Sequence, residues 1–301
     1  MTTSLHQKLE ANAAAVHQRL DSIMSLKLLA GEINRPERLV DAMRHGLLNG
    51  GKRLRPFLVV QSAALFDVEA EQAMQTACAL ECLHSYSLVH DDLPAMDNDD
   101  LRRGKPTVHK AYDEATAILA GDALLTLAFD LLSDPACHRD PQIRAELTNR
   151  LARASGLGGM IGGQMLDLAA ESGDPDEAEI RLLQRMKTGA LIKFACVAGG
   201  VLGQADDEEM ARLERYGETI GLAFQLADDL LDITSDAETM GKAVGKDAGR
   251  GKGTLVGILG IPRVESLLAE AVEEADACLA DFGDKAQVLR QTARFIVDRK
   301  N

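Results

Sequence analysis

The sequence predicts an all-α protein. Its residues are 46% hydrophobic but only 3% aromatic, with no Trp, so the core must consist of Leu, Ala, Val, Met and Ile, a composition rich in helix formers. Apolar residues recur with helical spacing along the chain, whereas the alternation that is typical of strands is not convincing anywhere. No linker-like stretch divides the 301 residues. We therefore predict one domain over residues 1–301, a bundle of roughly ten or more helices.

Proline, glycine and capping residues set the predicted helix boundaries. Residues 4–29 have helical spacing, and Pro36 begins a second helix that ends at Asn49-Gly50-Gly51. Pro94 ends a helix over residues 70–92, because it removes a backbone donor and disfavours helix at Leu93. The other predicted helices run from Phe57 to Phe66, from Ala115 to Leu132 as a buried helix, onward from Pro141, Asp174 and Asp206, and from Ile261 to the C-terminus.

Composition limits the classes of function. The net charge of −14 argues against a nucleic-acid partner, because no broad basic face is available for phosphates. Small phosphorylated ligands are not excluded, since local basic clusters can lie within an acidic protein. The five cysteines form no CxxC pair, so we expect buried thiols in a reducing cytoplasm.

The chain also lacks an obvious membrane signal. Charged residues interrupt the N-terminal segment, which argues against a signal peptide. We expect the longest weakly polar run to be Ala190 to Gly203, and this run is too short to span a bilayer. We therefore expect a cytoplasmic protein with no stable membrane insertion.

An aspartate-rich segment follows the helix over residues 70–92. Carboxylates packed this closely repel one another, and the usual compensation is a bound hard cation, for which Mg²⁺ fits best. The segment contains five aspartates within ten residues, followed by two arginines: Asp91, Asp92, Asp97, Asp99, Asp100, Arg102 and Arg103.

A second aspartate cluster lies far downstream. Asp228, Asp229 and Asp232 lean to one side of a predicted helix, and Gln225 shares that face. A single triplet of this kind is more simply explained as the solvated end of a helix. Two such clusters, each at the end of a mostly apolar helix, favour a metal site.

Basic residues occur at separate positions that could bind an anion. Lys52 and Arg55 bracket a turn with free backbone N–H groups, although such a turn by itself is most often ordinary surface charge. Lys187 and Thr188 lie in a helix whose second half is apolar, so they either enter an interior cavity or Lys187 extends to the surface. The glycine-rich stretch Gly158 to Leu168 predicts close approach by another backbone or a ligand.

The segment Gly241 to Thr254 combines glycines with the cations Lys242, Lys246, Arg250 and Lys252. It departs from a P-loop, since the required glycine and hydroxyl positions are missing and no strand precedes it. We predict a mobile lid that closes over phosphates, with a plain flexible linker as the alternative.

These motifs together resemble those of the trans-isoprenyl diphosphate synthase family, with the bacterial farnesyl diphosphate synthases as the most similar branch. The resemblance runs from about Gly46 to Thr254 and rests on GGKRLRP, HSYSLVHDDLPAMDNDDLRRGKPT, GQMLDL, KTG, FQLADDLLD and GKAVGKD. It implies a helical bundle around a deep cavity, activity with about three Mg²⁺ ions per site, and a homodimer.

The resemblance also implies roles for individual residues. Asp91, Asp97 and Asp228 hold the metal ions, with Asp92, Asp229 and Asp232 in support. The residues implied for the allylic diphosphate are Arg102, Lys187, Thr188, Gln225, Lys242 and Lys252, of which Arg102, Lys187, Thr188 and Gln225 are given catalytic roles. The residues implied for isopentenyl diphosphate are Lys52, Arg55, His84 and Arg103. Gln164 and Asp167 match a further motif and are given a supporting role.

The implied reaction is head-to-tail condensation of isopentenyl diphosphate with dimethylallyl and geranyl diphosphates. It produces an allylic carbocation, so the site must stabilise the departing diphosphate and exclude water. Tyr86, on the helix below Asp91, resembles the aromatic floor of farnesyl-producing relatives, although helical geometry places Ser87 more directly beneath Asp91. Farnesyl diphosphate is the expected product, with geranyl or geranylgeranyl diphosphate as the alternative.

Two other functions are weighed against this one. A terpene cyclase would share the first motif, but such enzymes have an Asn/Ser/Glu pattern at the second site. This chain has Asp228, Asp229 and Asp232 there. A non-catalytic subunit would have lost aspartates or basic residues, and this chain retains them all. Prenyl transfer is therefore favoured.

Overall fold

The computed structural model describes residues 4–170, 173–239 and 254–298, and for residues 232–239 it describes the backbone alone. The predicted lid from Gly241 to Gly253, with Lys242 and Lys252, lies outside the described residues, as does the side chain of Asp232. The chain packs as two compact units, Met1–Asn149 with Val201–Gly203 and Arg150–Gly200 with Gln204–Asn301. The single domain over residues 1–301 stays a prediction.

The all-α prediction is confirmed, because helices make up nearly all regular structure in the described residues. In the first unit the helices are α1 (Leu5–Ile23), α2 (Glu37–Leu47), α3 (Leu54–Ala64), α4 (Ala70–Asp91), α5 (Val108–Ala111), α6 (Glu114–Ser133) and the first part of α7 (Pro141–Ser155). The second unit contains the rest of α7, α8 (Met160–Ala170), α9 (Glu177–Gln184), a π-helical turn (Arg185–Gly189), α10 (Ala190–Leu202) as far as Gly200, α11 (Asp207–Thr239), α12 (Leu255–Leu259), α13 (Ile261–Cys278), a 3₁₀ segment (Ala280–Ala286) and α14 (Gln287–Val297).

Helix α4 is the central element of the first unit. It packs against both α3 and α6, so it is buried around most of its circumference and has no single apolar stripe. Glu81 is the exception in this apolar helix, since it is charged and only 2% exposed. All five cysteines of the chain are buried and free, as their scattered positions predicted.

Helix α6 corrects two expectations. Among the described residues it is the one helix that is long and apolar enough to cross a membrane by length and composition, so Ala190 to Gly203 is not the longest apolar run. It is also not a fully buried helix, because Ile118 and Leu119 are 45% and 57% exposed. Its apolar residues surround the helix, whereas α2, α4 and α5 cover only part of it. Which faces are covered is decided by packing and not by the sequence pattern.

In the second unit α11 is the longest helix and packs against α13, α14 and the π-helical turn. The predicted helix starts are confirmed by capping boxes, in which Asp176 and Glu179 exchange hydrogen bonds of 2.9 Å before α9. Asp206 and Glu209 exchange equivalent bonds of 2.9 and 2.8 Å before α11. These acidic pairs satisfy backbone N–H groups that a helix start leaves without a partner.

Helix α8 contacts the π-helical turn through Gly163. A Cβ atom at Gly163 would lie 2.2 Å from the backbone N of Lys187, so the two backbones are in direct contact. On the other side of the turn, a Cβ at Gly221 of α11 would lie 3.1 Å from the Cα of Gly189. The predicted close approach in the glycine-rich stretch is therefore confirmed, and it places the Lys187 turn between two helices.

Three local predictions need correction. Helix α1 ends at Ile23 and not near residue 29, because Arg35 donates to the carbonyls of Ile23 (3.2 Å) and Ser25 (2.7 Å) and so caps the helix end. Helix α11 continues past the second aspartate cluster to Thr239, since neither Gly nor Pro interrupts the chain there. The cluster thus lies inside a helix and not at its end.

The third correction is a short hairpin that the sequence pattern did not indicate. Strands β1 (Leu101–Arg102) and β2 (Lys105–Pro106) pair antiparallel, with Arg102 opposite Lys105. The turn residues Arg103 and Gly104 both have positive φ, 54° and 76°, as a tight hairpin turn requires. Strands of two residues are too short for alternation to reveal them.

The Gly163 contact leads to a test of the fold. We expect Gly163→Ala to lower the free energy of unfolding by about 1–3 kcal/mol, because the added methyl group overpacks a backbone contact. Urea unfolding monitored by circular dichroism measures the change. Gly158→Ala is the matched control, since a Cβ there has nothing within 4 Å. Equal stability of the two variants would contradict the assigned contact.

Candidate active site

The first aspartate cluster begins at the carboxyl end of α4. Asp91 is the last residue of the helix and Asp92 its C-cap, and the backbone N–H of Asp97 donates to the Asp91 carbonyl at 2.9 Å. Carboxylates at a helix C-terminus face the negative end of the helix dipole, which disfavours them. Their position therefore indicates a role in binding rather than in stabilising the helix.

Arg102 holds Asp92 in place. Its Nε donates to Asp92 Oδ1 at 2.9 Å, and it also donates to Asp99 Oδ2 at 3.3 Å. Asp92 is only 3% exposed, and this burial raises the pKa of its carboxyl, although the hydrogen bond from Arg102 opposes the rise. Asp97, in contrast, is exposed. Asp92 thus orders the arginine, while Asp97 is accessible to a ligand.

The end of α2 fixes the hairpin that carries the two arginines. His45 Nε2 lies 2.7 Å from the Pro106 carbonyl, and Asn49 Nδ2 donates to the Arg102 carbonyl at 2.9 Å. Arg103 donates to the carbonyl of Gly50. The backbone on both sides of the hairpin turn is therefore bonded to one segment, which sets the direction of the arginine side chains.

Three of the four residues predicted to hold isopentenyl diphosphate meet in the first unit. Arg55 NH1 lies 3.3 Å from His84 Nε2, which joins α3 to α4. The Arg103 guanidinium lies against Gly51, where a Cβ would be 2.5 Å from NH1 and where φ is +110°. A side chain at Gly51 would occupy the position of the guanidinium. Lys52 follows directly in the same turn.

This group of residues is electrostatically unusual. Burial lowers the pKa of Arg55, and burial followed by the charge of Arg53 lowers that of Arg103. Burial and then the nearby Arg55 and Arg103 hold the pKa of His84 well below its usual range, so its imidazole is neutral and Nε2 can accept from Arg55. Arg55 Nε is buried and has no hydrogen-bond partner among the described residues. An anion would supply the missing charge and acceptor.

Tyr86 and Ser87 differ in their surroundings. Tyr86 is 6% exposed, and its ring meets His90 edge to face with centroids 5.4 Å apart. Burial and the Asp91 charge raise the pKa of Tyr86 to about 12, which keeps it a neutral phenol. Ser87 Oγ donates to the His84 carbonyl at 2.8 Å, so its hydroxyl is bonded within its own helix. Tyr86 is therefore the bulky group at this level of α4.

The second aspartate cluster lies on α11 in the second unit. Asp229 is 7% exposed, and its two oxygens accept from Gln184 Nε2 at 2.9 Å and Gln225 Nε2 at 3.3 Å. Its carboxylate therefore orients Gln225, one of the predicted catalytic residues. Asp228 is half-buried one residue earlier on the same helix.

Lys187 and Thr188 occupy the π-helical turn between α9 and α10. Such wide turns within helices are frequent at functional sites. Lys187 Nζ donates to Asp167 Oδ2 of α8 at 2.6 Å, with both side chains largely buried, so the lysine does not extend freely to the surface. Gln164, one turn before Asp167, has both amide atoms buried without a partner among the described residues. Asp167 and Gln164 thus stand beside the predicted lysine.

The donor set fits Mg²⁺ as a partial ligand set. Among the described side chains, no three His, Cys, Asp or Glu residues are grouped closely enough to hold a metal alone. Mg²⁺ in proteins is usually held by one or two carboxylates together with waters and substrate phosphates. Asp91 and Asp97, whose backbones are joined by a hydrogen bond, match that requirement.

Sequence reasoning missed three residues that the structure connects to the site. Arg53 and Glu81 form an ion pair with side chains 2% and 3% exposed, and Gln184 is bonded to Asp229. Glu81 could have been noticed, because it is the lone charge within the apolar stretch from Ala77 to Leu83. No comparable signal marks Arg53 among its basic neighbours or Gln184 in its helix.

Comparisons with known proteins agree with the motifs. Residues 36–289 match the family described as polyprenyl synthetase. The chain is 44% identical to the farnesyl diphosphate synthase of Escherichia coli K12, over 87% of this chain and 89% of the relative. It is 40% identical to geranylgeranyl pyrophosphate synthase 3 of Arabidopsis thaliana, over 94% of this chain and 80% of the relative.

A solved structure, the apo FPP/GFPP synthase of Zymomonas mobilis, is 45% identical with a TM-score of 0.87 and covers 97% of this chain and 98% of the other. The resemblance drawn from the motifs, the fold class and the enzyme class of prenyltransferase are thereby confirmed. The match to the family spans most of the chain and includes both aspartate clusters and the basic positions before and between them, so this chain belongs to the polyprenyl synthetase family.

Proposed function

We propose that this protein condenses isopentenyl diphosphate with dimethylallyl and geranyl diphosphates to give farnesyl diphosphate, with Mg²⁺ as the cofactor. The observation that carries the proposal is the group of Arg55, His84 and Arg103, in which the buried Nε of Arg55 has no hydrogen-bond partner among the described residues. A diphosphate matches that charge and those donors. The farnesyl diphosphate synthase of Escherichia coli supports the choice of product.

The reaction breaks the carbon–oxygen bond of the allylic diphosphate, and the electron pair leaves with the diphosphate. The family motifs assign two donors of charge-assisted hydrogen bonds to the departing group: Arg102, which Asp92 holds in the first unit, and Lys187, which Asp167 holds in the second. The same motifs assign Mg²⁺ to Asp91, Asp97 and Asp228, and the positive charge of the metal would stabilise the departing group. The π electrons of isopentenyl diphosphate then form the new carbon–carbon bond.

The proton lost in the last step goes to the released diphosphate and not to His84. The low pKa of His84, caused by burial and then by Arg55 and Arg103, makes it a poor base. Its Nε2 also faces Arg55 NH1 at 3.3 Å, so that nitrogen is already engaged as an acceptor. His84 therefore orients Arg55 in the isopentenyl diphosphate site.

The decisive experiment incubates the purified chain with dimethylallyl diphosphate, isopentenyl diphosphate and Mg²⁺. Mass spectrometry of the products should give mainly the fifteen-carbon farnesyl diphosphate, and chelation by EDTA should abolish turnover. Geranylgeranyl diphosphate as the main product would favour the second candidate, which the 40% identity to the Arabidopsis geranylgeranyl synthase supports. Absence of any condensation would overturn the proposal.

The proposed function predicts that both aspartate clusters are needed for turnover. Asp91→Ala and Asp228→Ala should each lower kcat/KM by about a thousandfold, because a ligand that stabilises the departing charge is lost. Thermal melting should remain cooperative, since both variants reduce repulsion between carboxylates. Asp41→Ala, at an exposed position of α2, is the control with expected normal turnover. Near-normal activity of Asp228→Ala would contradict a role for the second cluster.

The proposed function also predicts that Tyr86 limits the length of the product. Tyr86→Ala removes a buried ring from the helix below Asp91, and the cavity it leaves should admit at least one more isoprene unit. Mass analysis should then detect products longer than those of the wild type. Tyr112→Ala, which removes a ring from a partly buried position outside α4, should leave the product spectrum unchanged. An active Tyr86→Ala enzyme with unaltered products would place the floor elsewhere.

We also propose a cytoplasmic homodimer that does not insert into membranes. Exposed apolar side chains on α6, namely Ile118 and Leu119, support an interface there, because an apolar helix of a soluble protein is usually covered. Buried free cysteines support a reducing compartment.

Light scattering after gel filtration tests this state, and the wild type should have about twice the 32.4 kDa chain mass. Combined Ile118→Glu and Leu119→Glu changes should yield the single-chain mass, because charges in an apolar interface are costly. Ile33→Glu, at a residue 96% exposed, is the control and should stay dimeric. A wild type of single-chain mass would exclude the dimer.

A further inference from the structure

Arg53 and Glu81 form a buried ion pair beside the residues assigned to isopentenyl diphosphate. Arg53 NH1 donates to Glu81 Oε1, and NH2 donates to the Leu47 carbonyl at 2.5 Å. The two side chains are only 2% and 3% exposed. Removing two charges from water is costly, and a buried pair of this kind is weak evidence for a gain in stability. A different role therefore has to be considered.

The backbone at Arg53 is in an uncommon conformation. As the N-cap of α3 it has φ 49° and ψ 42°, in the left-handed region that non-glycine residues rarely occupy. Such a conformation persists where the surroundings hold it, and here the side chain is bonded at both ends of its guanidinium. Lys52 immediately precedes this residue and Arg55 follows two positions later. The conformation at Arg53 therefore sets the directions in which Lys52 and Arg55 leave the backbone.

Glu81 supplies negative charge from helix α4 to the neighbouring arginines. It lies on α4 three residues before His84, so both residues project from nearly the same face of that helix. Its charge favours the ionised forms of Arg55 and Arg103, against burial and the mutual repulsion of the arginines. In the protein without substrate, a carboxylate thus supplies part of the negative charge that a diphosphate would supply.

We propose that Glu81, acting through Arg53, is a positioning residue that holds Lys52 and Arg55 in the arrangement that binds isopentenyl diphosphate. The inference rests on the proposed function for the identity of the ligand. It assigns no contact with substrate to Glu81 or Arg53. The pair instead orders the basic turn before the ligand arrives, so that binding does not have to order it.

Glu81→Gln is the primary test, because it keeps the size of the side chain and removes its charge. We expect KM for isopentenyl diphosphate to rise by about tenfold to a hundredfold, because the weakened pair leaves the basic turn to be ordered on binding. The KM for geranyl diphosphate and kcat should change far less. Calorimetric titration with isopentenyl diphosphate alone should show a matching loss of affinity, and this measurement does not depend on turnover.

Glu71→Gln is the matched control on the same helix. Glu71 also pairs with an arginine, Arg19, but its side chain is 74% exposed, and exposed pairs contribute little. Its kinetic constants and affinity should equal those of the wild type. An unchanged affinity in Glu81→Gln would overturn the proposal.

A double variant separates positioning from simple stability. Arg53→Met combined with Glu81→Met removes both charges, which often leaves the stability of a buried pair unchanged or improves it. We expect a melting temperature at or above that of Glu81→Gln but an affinity for isopentenyl diphosphate that stays weak. Recovery of affinity together with stability would show a merely structural pair and would also overturn the proposal. If Glu81→Gln does not fold, the double variant alone decides the outcome.

The wild-type titration distinguishes this inference from the proposed function. Wild-type protein that neither binds isopentenyl diphosphate nor condenses it would exclude the function itself. Wild-type binding with unaffected variants would exclude only the role of Glu81.

Discussion

Arg53, Arg55 and Arg103 lie close together around the neutral His84 in the first unit, and the repulsion between these arginines is the constraint to which its other features respond. Arg55, Arg103 and His84 are each depressed in pKa by burial before any neighbouring charge is considered. Partial desolvation disfavours their charged forms, so a negative group of the protein or of a ligand stabilises the arginines. Glu81 provides one carboxylate in the folded chain, and a diphosphate would provide the larger part.

The elements around this region are arranged to hold it. The last three turns of α4 contain Glu81, His84, Tyr86 and Asp91, so one buried helix connects the ion pair, the neutral imidazole, the aromatic ring and the first aspartate cluster. The end of α2 bonds to the hairpin through His45 and Asn49. These contacts hold the backbone from which both arginines project, and the arginine side chains are held in turn by Asp92 and by the Gly50 carbonyl.

The second unit uses a different device for the same purpose. A wide helical turn presents Lys187 and Thr188, and glycines on α8 and α11 allow both helices to reach that turn at backbone distance. Asp167 then binds Lys187, and Gln184 with Gln225 binds Asp229. Of the predicted catalytic residues in this unit, Lys187 and Gln225 thus each have a partner that limits their motion. Thr188 directly follows Lys187 in the same turn.

The sequence by itself determined the helical class, most helix starts and the chemistry of the site. Capping residues such as Asp176 and Asp206 act locally, and closely spaced aspartates repel one another whatever fold surrounds them, so these features could be predicted. The tertiary structure decided which residues are bonded to each other. The Arg53–Glu81 pair joins residues 28 positions apart, and the Gln184–Asp229 pair joins residues 45 apart. Contacts over such separations depend on how helices pack, which periodicity does not specify, and the hairpin and π-helical turn are too short to produce a pattern.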